Sequence, residues 1–254
     1  MRCLVITRAL TPTDGYRAAL AGLVDEVVEL PVTITAPAPA DAVAALARAA
    51  GELARYQHVV VASARAAEAL IAAATAAGTV AALAAATIDC VGAASAAPLR
   101  AIGAAPRLAA VATGAGVAAG MQVAPGARVL LPHAEHGRVD LRDALRAAGA
   151  EVDAIVAYRT VPAPRTPTLA AARRRLSTDA ELIALFAPSQ VTALAAWLDE
   201  DGDAFATLRA RAVAIGPTTA AALTAAGAPP VAVAASPTPA ALAAAIAGVY
   251  PASV

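Results

Sequence analysis

The sequence predicts an α/β protein of two domains, each a parallel sheet flanked by helices, joined by a two-stranded β linker. Three observations predict it. Short apolar, β-rich runs alternate with alanine-rich helical stretches along the whole chain, the mark of parallel strands with crossover helices. Ten such runs are more than one open sheet comfortably holds, so two sheets are expected. Two segments break the alternation, PVTITAPAPAD (31–41) and YRTVPAPRTP (158–167), both β-branched and then proline-rich. Proline favours extended chain and has no donor for a sheet interior, so both read as crossings between domains.

In chain order the candidate strands begin with CLVIT (3–7), VVEL (27–30), VVVAS (59–63), TIDCVG (87–92) and RLAAVA (107–112). RVLLP (128–132), EVDAIVAY (151–158), LIALFAP (182–188), AVAIG (212–216) and VAVAA (231–235) follow. Most lack polar alternation, as strands covered on both faces do. If the proline-rich segments are the crossings, one domain is discontinuous, 1–33 plus 164–254. The other, 38–157, is inserted, and the linkers are 34–37 and 158–163.

Composition narrows the function classes. Lys plus Arg equals Asp plus Glu at 19 each, so no basic face for general nucleic-acid binding is expected. No charge falls between Arg211 and Val254, or between Glu68 and Asp89, which invites a membrane reading. Prolines 217, 229, 230, 237 and 239 cut the first stretch, and Gly78 and several threonines cut the second. Alanine dominates both, where spanning segments use larger apolar residues, so no membrane association is expected. The opening MRCLVITR is too short for a secretory leader. Cys3 and Cys90 lie in strands and read as buried thiols, which places the chain in the cytoplasm.

Four strand-to-helix junctions share one character. VVV leads into ASARAAEAL, with Ser63 and Arg65 at a helix start. IDC leads into VGAASAAPL, with Gly92 and Ser95. LIAL leads into FAPSQVTAL, with Ser189. VAI leads into GPTTAAAL, with Gly216, Thr218 and Thr219. Helix capping alone accounts for any one of them. All four, however, lie at carboxyl ends of strands, the edge along which open parallel sheets bind ligands. Two such edges facing each other would make a cleft of hydroxyls and helix N-termini suited to a ligand with several carboxylates or phosphates.

These residues resemble the uroporphyrinogen-III synthase family. The matching pieces are FAPSQV, AIGPTTAAAL…AG, VVVASARAAEAL, VGAAS and LLPHAEHGRVDLRDALRAAGAEVDAIVAYRTVP, in the family's order over essentially the whole chain. The resemblance implies two α/β domains on a two-stranded linker and a reaction without metal or organic cofactor. Hydroxymethylbilane, a linear tetrapyrrole with eight carboxylates, loses its hydroxyl as water and closes with its last ring inverted. Tyr158 matches the tyrosine proposed to assist departure of that hydroxyl. A phenol with a pKa near ~10 stays protonated at neutral pH and can donate. The other reading of Tyr158 is packing, with its hydroxyl capping a backbone group.

Thr219 and Ser189 match carboxylate-contacting positions of the family, with Ser63 and Ser95 opposite them. Ser95 stands where many relatives carry threonine, and Ala187 where serine or threonine is common. Arg8, Arg65, Arg138 and Arg159 are the candidate carboxylate partners. A small-molecule polycarboxylate, a monomer and no nucleic acid are expected.

Other features carry less. ATGAGVAAG (112–120) has one residue too many for a dinucleotide loop. His133 and His136, around Glu135, fall short of a metal ligand set and read as surface residues. RRR (173–175) reads as a solvated helix face, and Trp197 as core. Two other functions stay open, a non-catalytic tetrapyrrole-binding relative and a nucleotide-binding α/β enzyme.

Overall fold

Strands without polar alternation need cover on both faces, and that requirement shapes the whole chain. The computed structural model describes residues 1–110, 114–121, 123–137 and 139–250. The chain opens with β1 (Cys3–Ile6), α1 (Tyr16–Leu20), β2 (Glu26–Glu29) and β3 (Thr33–Pro37). Then come α2 (Ala40–Gly51), β4 (His58–Val61), α3 (Ala64–Ala77), α4 (Val80–Ala85), β5 (Ile88–Cys90) and α5 (Ala93–Ala101). Next are β6 (Arg107–Leu108), α6 (Gly114–Gly120), β7 (Arg128–Ala134), α7 (Val139–Ala147) and β8 (Glu151–Pro162). The last part runs α8 (Pro167–Thr178), β9 (Leu182–Leu185), α9 (Pro188–Glu200), β10 (Arg211–Ala214), α10 (Pro217–Ala225), β11 (Ala232–Val233) and α11 (Pro239–Ala247).

The chain divides into two compact units, Met1–Ile34 with Val161–Val254, and Thr35–Thr160. The first holds a five-stranded sheet in the order β11-β10-β9-β1-β2, every pair parallel. The second is built on a six-stranded sheet, β3-β8-β7-β4-β5-β6, in which β8, β7, β4, β5 and β6 pair in parallel. The α/β class with two parallel sheets is therefore as the alternation predicts. Both proline-rich segments enter sheet structure. β3 covers 33–37 and β8 continues through 158–162 to Pro162, so Tyr158 sits inside a strand.

In the five-stranded sheet successive side chains go to opposite cores. Cys3 and Val5 join Ile183, Leu185, Leu194 and Trp197 on one face, while Leu4 and Ile6 join Leu182, Ala184, Leu242 and Ile246 on the other. In the second unit Val59 and Val61 pack with Leu70, Leu99 and Leu130, and Val60 packs with Val129, Leu131 and Leu145. Alanine lets the covering helices approach closely. α3 buries Ala66, Ala67, Leu70 and Ala74. Much of the apolar composition is spent here. Among the described residues no helix is long and apolar enough to cross a membrane. Cys3 and Cys90 are free buried thiols.

Two readings of the sequence need correction. The strand expected over 107–112 is only Arg107–Leu108, both exposed at the sheet edge, and residues 111–113 lie outside the described ones. The arginine triplet is no solvated face, because consecutive helical side chains diverge by about 100°. Arg173 is 6% exposed and binds Asp203 (Nη2–Oδ2 2.5 Å). Arg175 clasps Asp179 and Glu26, holding both carboxyls below their ordinary range. Arg174 alone is exposed.

Candidate active site

The carboxyl ends of the central strands carry the candidate residues, and each junction leaves a different set of donors. After β10, Gly216 is the N-cap of α10 and Pro217 its first residue. The Ala220 N–H is the first to return to the helix, bonding the Gly216 carbonyl at 3.0 Å. The Thr218 and Thr219 N–H groups are thus left at the helix mouth. Thr218 is exposed, and Thr219 is 1% exposed without a side-chain hydrogen bond to the described residues. Neither backbone nor crowding demands glycine at 216. Its φ of 179° is extended chain, and an added Cβ would meet nothing within 4 Å.

After β9 the N-cap of α9 is Ala187, which has no capping oxygen. Gln190 supplies the missing acceptor. Its Oε1 takes the Phe186 N–H at 2.8 Å and stands 2.6 Å from the Thr7 hydroxyl, tying the end of β9 to the end of β1. Ser189 beside it is exposed. Sequence reasoning passed over Gln190, although a polar residue three after a capless position is the visible signal.

Arg8 leaves the end of β1 and is held by aromatic rings. Its Cζ lies 5.2 Å from the Tyr16 ring centre and 5.4 Å from that of Phe186, and these rings meet edge to face at 5.2 Å. Asp14 is 3.8 Å from Nη2, a loose partner. Cation–π contacts of this kind orient a guanidinium while leaving its edge for a ligand. A fifth junction of the same sheet was also passed over. After β11, Thr238 caps α11 by accepting the Ala241 N–H, with Ser236 3.1 Å from its hydroxyl.

In the second unit Ser63 is the N-cap of α3, extended at φ −148°, and its Oγ accepts the Ala66 N–H at 3.2 Å. The same Oγ lies 3.2 Å from the Tyr158 hydroxyl. Tyr158 is placed by three further constraints. Its Cα pairs with Ala134 across a register shift, its carbonyl accepts the Glu135 N–H at 3.0 Å, and its ring packs on the core cluster of Val59, Val61 and Leu130. The packing reading of the sequence is thus half right. The ring packs, but the hydroxyl meets a side chain and not a backbone group.

Gly92 is the N-cap of α5, again extended (φ −163°) and with nothing within 4 Å of an added Cβ. Ser95 turns inward at 3% exposure. Its Oγ donates to the Gly92 carbonyl at 2.8 Å and accepts the Gly92 N–H at 3.3 Å, so its hydroxyl is consumed locally. What this junction offers a ligand is backbone.

The remaining arginines differ. Arg65 is exposed in the first turn of α3 and has no carboxylate partner among the described residues. Arg159 turns its Nε to the Pro37 carbonyl at 3.0 Å, fastening β8 to the end of β3. Arg138 lies outside the described residues. His133 donates Nδ1–H to the Ala134 carbonyl at 2.6 Å in the turn after β7, where a Cβ on Gly137 would come within 2.7 Å of that same oxygen. Among the described residues no three His, Cys, Asp or Glu side chains gather as a metal site.

This arrangement can bind anions at helix mouths in both sheets and can present a phenol beside one of them. Comparison with known proteins is consistent with that chemistry. A sequence model of the family described as uroporphyrinogen-III synthase HemD matches residues 14–244. No curated protein sequence matches the chain. Among solved structures, a uroporphyrinogen-III synthetase from Helicobacter pylori is 16% identical with a TM-score of 0.68, covering 98% of this chain and 100% of that one. A mutant uroporphyrinogen III synthase from the extremely thermophilic bacterium Thermus thermophilus is 23% identical with a TM-score of 0.61, over 98% of this chain and 97% of that one. At these identities the solved structures speak for the fold, while the family model spans most of the sequence. The chain belongs to the uroporphyrinogen-III synthase family, enzymes of tetrapyrrole biosynthesis.

Proposed function

We propose that this chain closes hydroxymethylbilane to uroporphyrinogen III with inversion of the terminal ring, a lyase reaction that releases one water. It acts as a cytoplasmic monomer without a cofactor. One observation beyond family membership carries the reading: the hydroxyl of Tyr158 stands at the carboxyl edge of a parallel sheet, 3.2 Å from the N-cap oxygen of α3. That is where a proton donor serves a polyanionic substrate held by helix N-termini.

The chemistry assigns each group a task. The phenol O–H of Tyr158 gives its proton to the departing hydroxyl, and the C–O bond breaks as water leaves with the bonding pair. The carbon left electron-poor is attacked by the terminal pyrrole, whose bond migrates to invert that ring. The ring carbon finally sheds a proton, which restores Tyr158, so the sum is loss of one water. General acid assistance of this kind contributes roughly 10²–10⁴-fold. The substrate closes unaided to the uninverted isomer, so the larger task is holding its carboxylates in one arrangement. The N–H groups of Thr218, Thr219 and Ser189, the hydroxyl of Thr219 and the guanidinium of Arg8 are the donors proposed from the first unit. The N–H groups beside Gly92 and the Arg65 guanidinium are those of the second. Ser95 holds the chain in place, since its hydroxyl is already engaged, while Arg159 gives its Nε–H to the Pro37 carbonyl and keeps its remaining N–H groups as proposed donors to a carboxylate.

The test is a coupled assay. Hydroxymethylbilane is generated by its own synthase, the chain is added, and the oxidised products are separated chromatographically. Predominantly type III isomer is expected. Type I alone from folded protein would overturn the catalytic reading and leave a tetrapyrrole-binding relative.

The glycine caps make a separate prediction. Gly216→Ala fits the extended backbone and open space, so the melting temperature is expected to stay within about 2 °C. The methyl intrudes on the anion position, raising KM about three- to ten-fold through a weakened charge-assisted hydrogen bond. An unchanged KM would remove the α10 mouth from the binding site.

A further inference from the structure

A serine that only caps a helix needs one contact, and Ser63 makes two. We infer that Ser63 is a positioning residue for Tyr158: its Oγ accepts the Ala66 N–H and donates its own hydrogen to the Tyr158 oxygen, leaving the phenol O–H free for the substrate. This rests on the function proposed above and adds to it the group through which the acid is held.

The argument is one of donor supply. Each hydroxyl owns a single hydrogen. If Tyr158 donates to Ser63, the proton meant for the leaving group is occupied and the serine hydrogen is idle. If Ser63 donates, the Ala66 N–H, the serine hydroxyl and the phenol form one chain in which each bond polarises the next. The chain starts at the N-terminus of α3, a helix of 14 residues whose positive end favours the phenolate left after proton transfer. The serine hydrogen bond then shortens onto a charged acceptor, so it is stronger after transfer than before. An interaction that strengthens along the reaction raises kcat and leaves ground-state binding alone.

The surroundings restrict the phenol to this contact. The turn after β7 holds the Tyr158 backbone through the Glu135 N–H, the core holds the ring, and Ser63 makes the one hydrogen bond to its hydroxyl among the described residues. Loss of the serine oxygen would leave the ring in place and let the hydroxyl rotate. Ser63 therefore acts on the rate through Tyr158 and not as a carboxylate ligand of its own.

The test is a double-mutant cycle in the coupled assay, with kcat and KM measured for Ser63→Gly, Ser63→Thr, Tyr158→Phe and the Ser63→Gly/Tyr158→Phe pair. Glycine caps a helix nearly as well as serine, so folding is retained, and melting curves check this. Ser63→Gly is expected to lower kcat about three- to ten-fold with KM unchanged, the worth of one such hydrogen bond. Ser63→Thr, which keeps cap and hydroxyl, recovers most of that rate. The double variant is expected to be no slower than Tyr158→Phe alone, because the serine has nothing left to hold.

Multiplying effects in the double variant, or a rise in KM for Ser63→Gly, would show Ser63 acting on the substrate directly and overturn the inference. So would a normal rate for Ser63→Gly or for Tyr158→Phe. In each of these cases the unaltered chain still makes type III isomer, and the proposed function stands. Absence of type III isomer from the unaltered chain would instead remove that function, and the inference with it.

Discussion

Tyr158→Phe is expected to lower kcat about a hundredfold and to leave KM within about twofold. The ring packs against Val59, Val61 and Leu130, and phenylalanine keeps that contact, so the fold is undisturbed. Only the hydroxyl is lost, with its bond to Ser63 and its proton. An interaction made with the departing group exists in the transition state and not in the bound substrate, which is why kcat falls and KM does not. Isomer composition is the second readout. If the acid starts the reaction while other groups hold the ring, the slow variant still makes type III product. A variant as fast as the parent would take Tyr158 out of the mechanism.

Arg107→Ala is expected to destabilise the chain by about 2–4 kcal/mol, read from urea unfolding. Asp89 is 6% exposed on β5, between β4 and β6, and Arg107 on β6 grips it with two bonds of 2.8 Å. The two residues are directly paired in the register of β5 and β6. Removing the arginine leaves a buried carboxylate with His58, 3.1 Å away, as its remaining side-chain partner among the described residues. The loss lies below the extreme for such pairs because Arg107 is itself half exposed and surrenders less on folding. Replacing both partners by leucine is expected to recover much of the loss, since no charge is then stranded. A loss under about 0.5 kcal/mol for Arg107→Ala would mean that Asp89 finds water or a proton at little cost.

The short strand β6 shows why the pair escaped notice in the sequence. RLAAVA reads as a six-residue apolar strand, yet among its described residues only Arg107 and Leu108 form strand, and the first of them grips Asp89 through its guanidinium. The arginine triplet failed in the same way. A run of like charge reads as one face, but a helix sends its members in different directions, and Arg173 goes into the protein to meet Asp203. In both cases the partner is far away in the chain or on another element, and no local pattern announces it.

The sequence by itself determined the fold class, four of the strand-to-helix junctions and the hydroxyls and glycines that stand at them. Those properties follow from local rules: apolar runs without alternation, proline at the first helical turn, hydroxyls and glycines at the caps. Only the tertiary structure decided which of those donors are free. Ser95 and Ser63 look alike in sequence, but one turns its hydroxyl back on Gly92 and the other reaches Tyr158, 95 positions away. The physical reason is that a hydrogen bond has few donors to share. Whether a capping hydroxyl is spent on its own helix or lent to a neighbour depends on what the packing of other strands brings within about 3 Å of it.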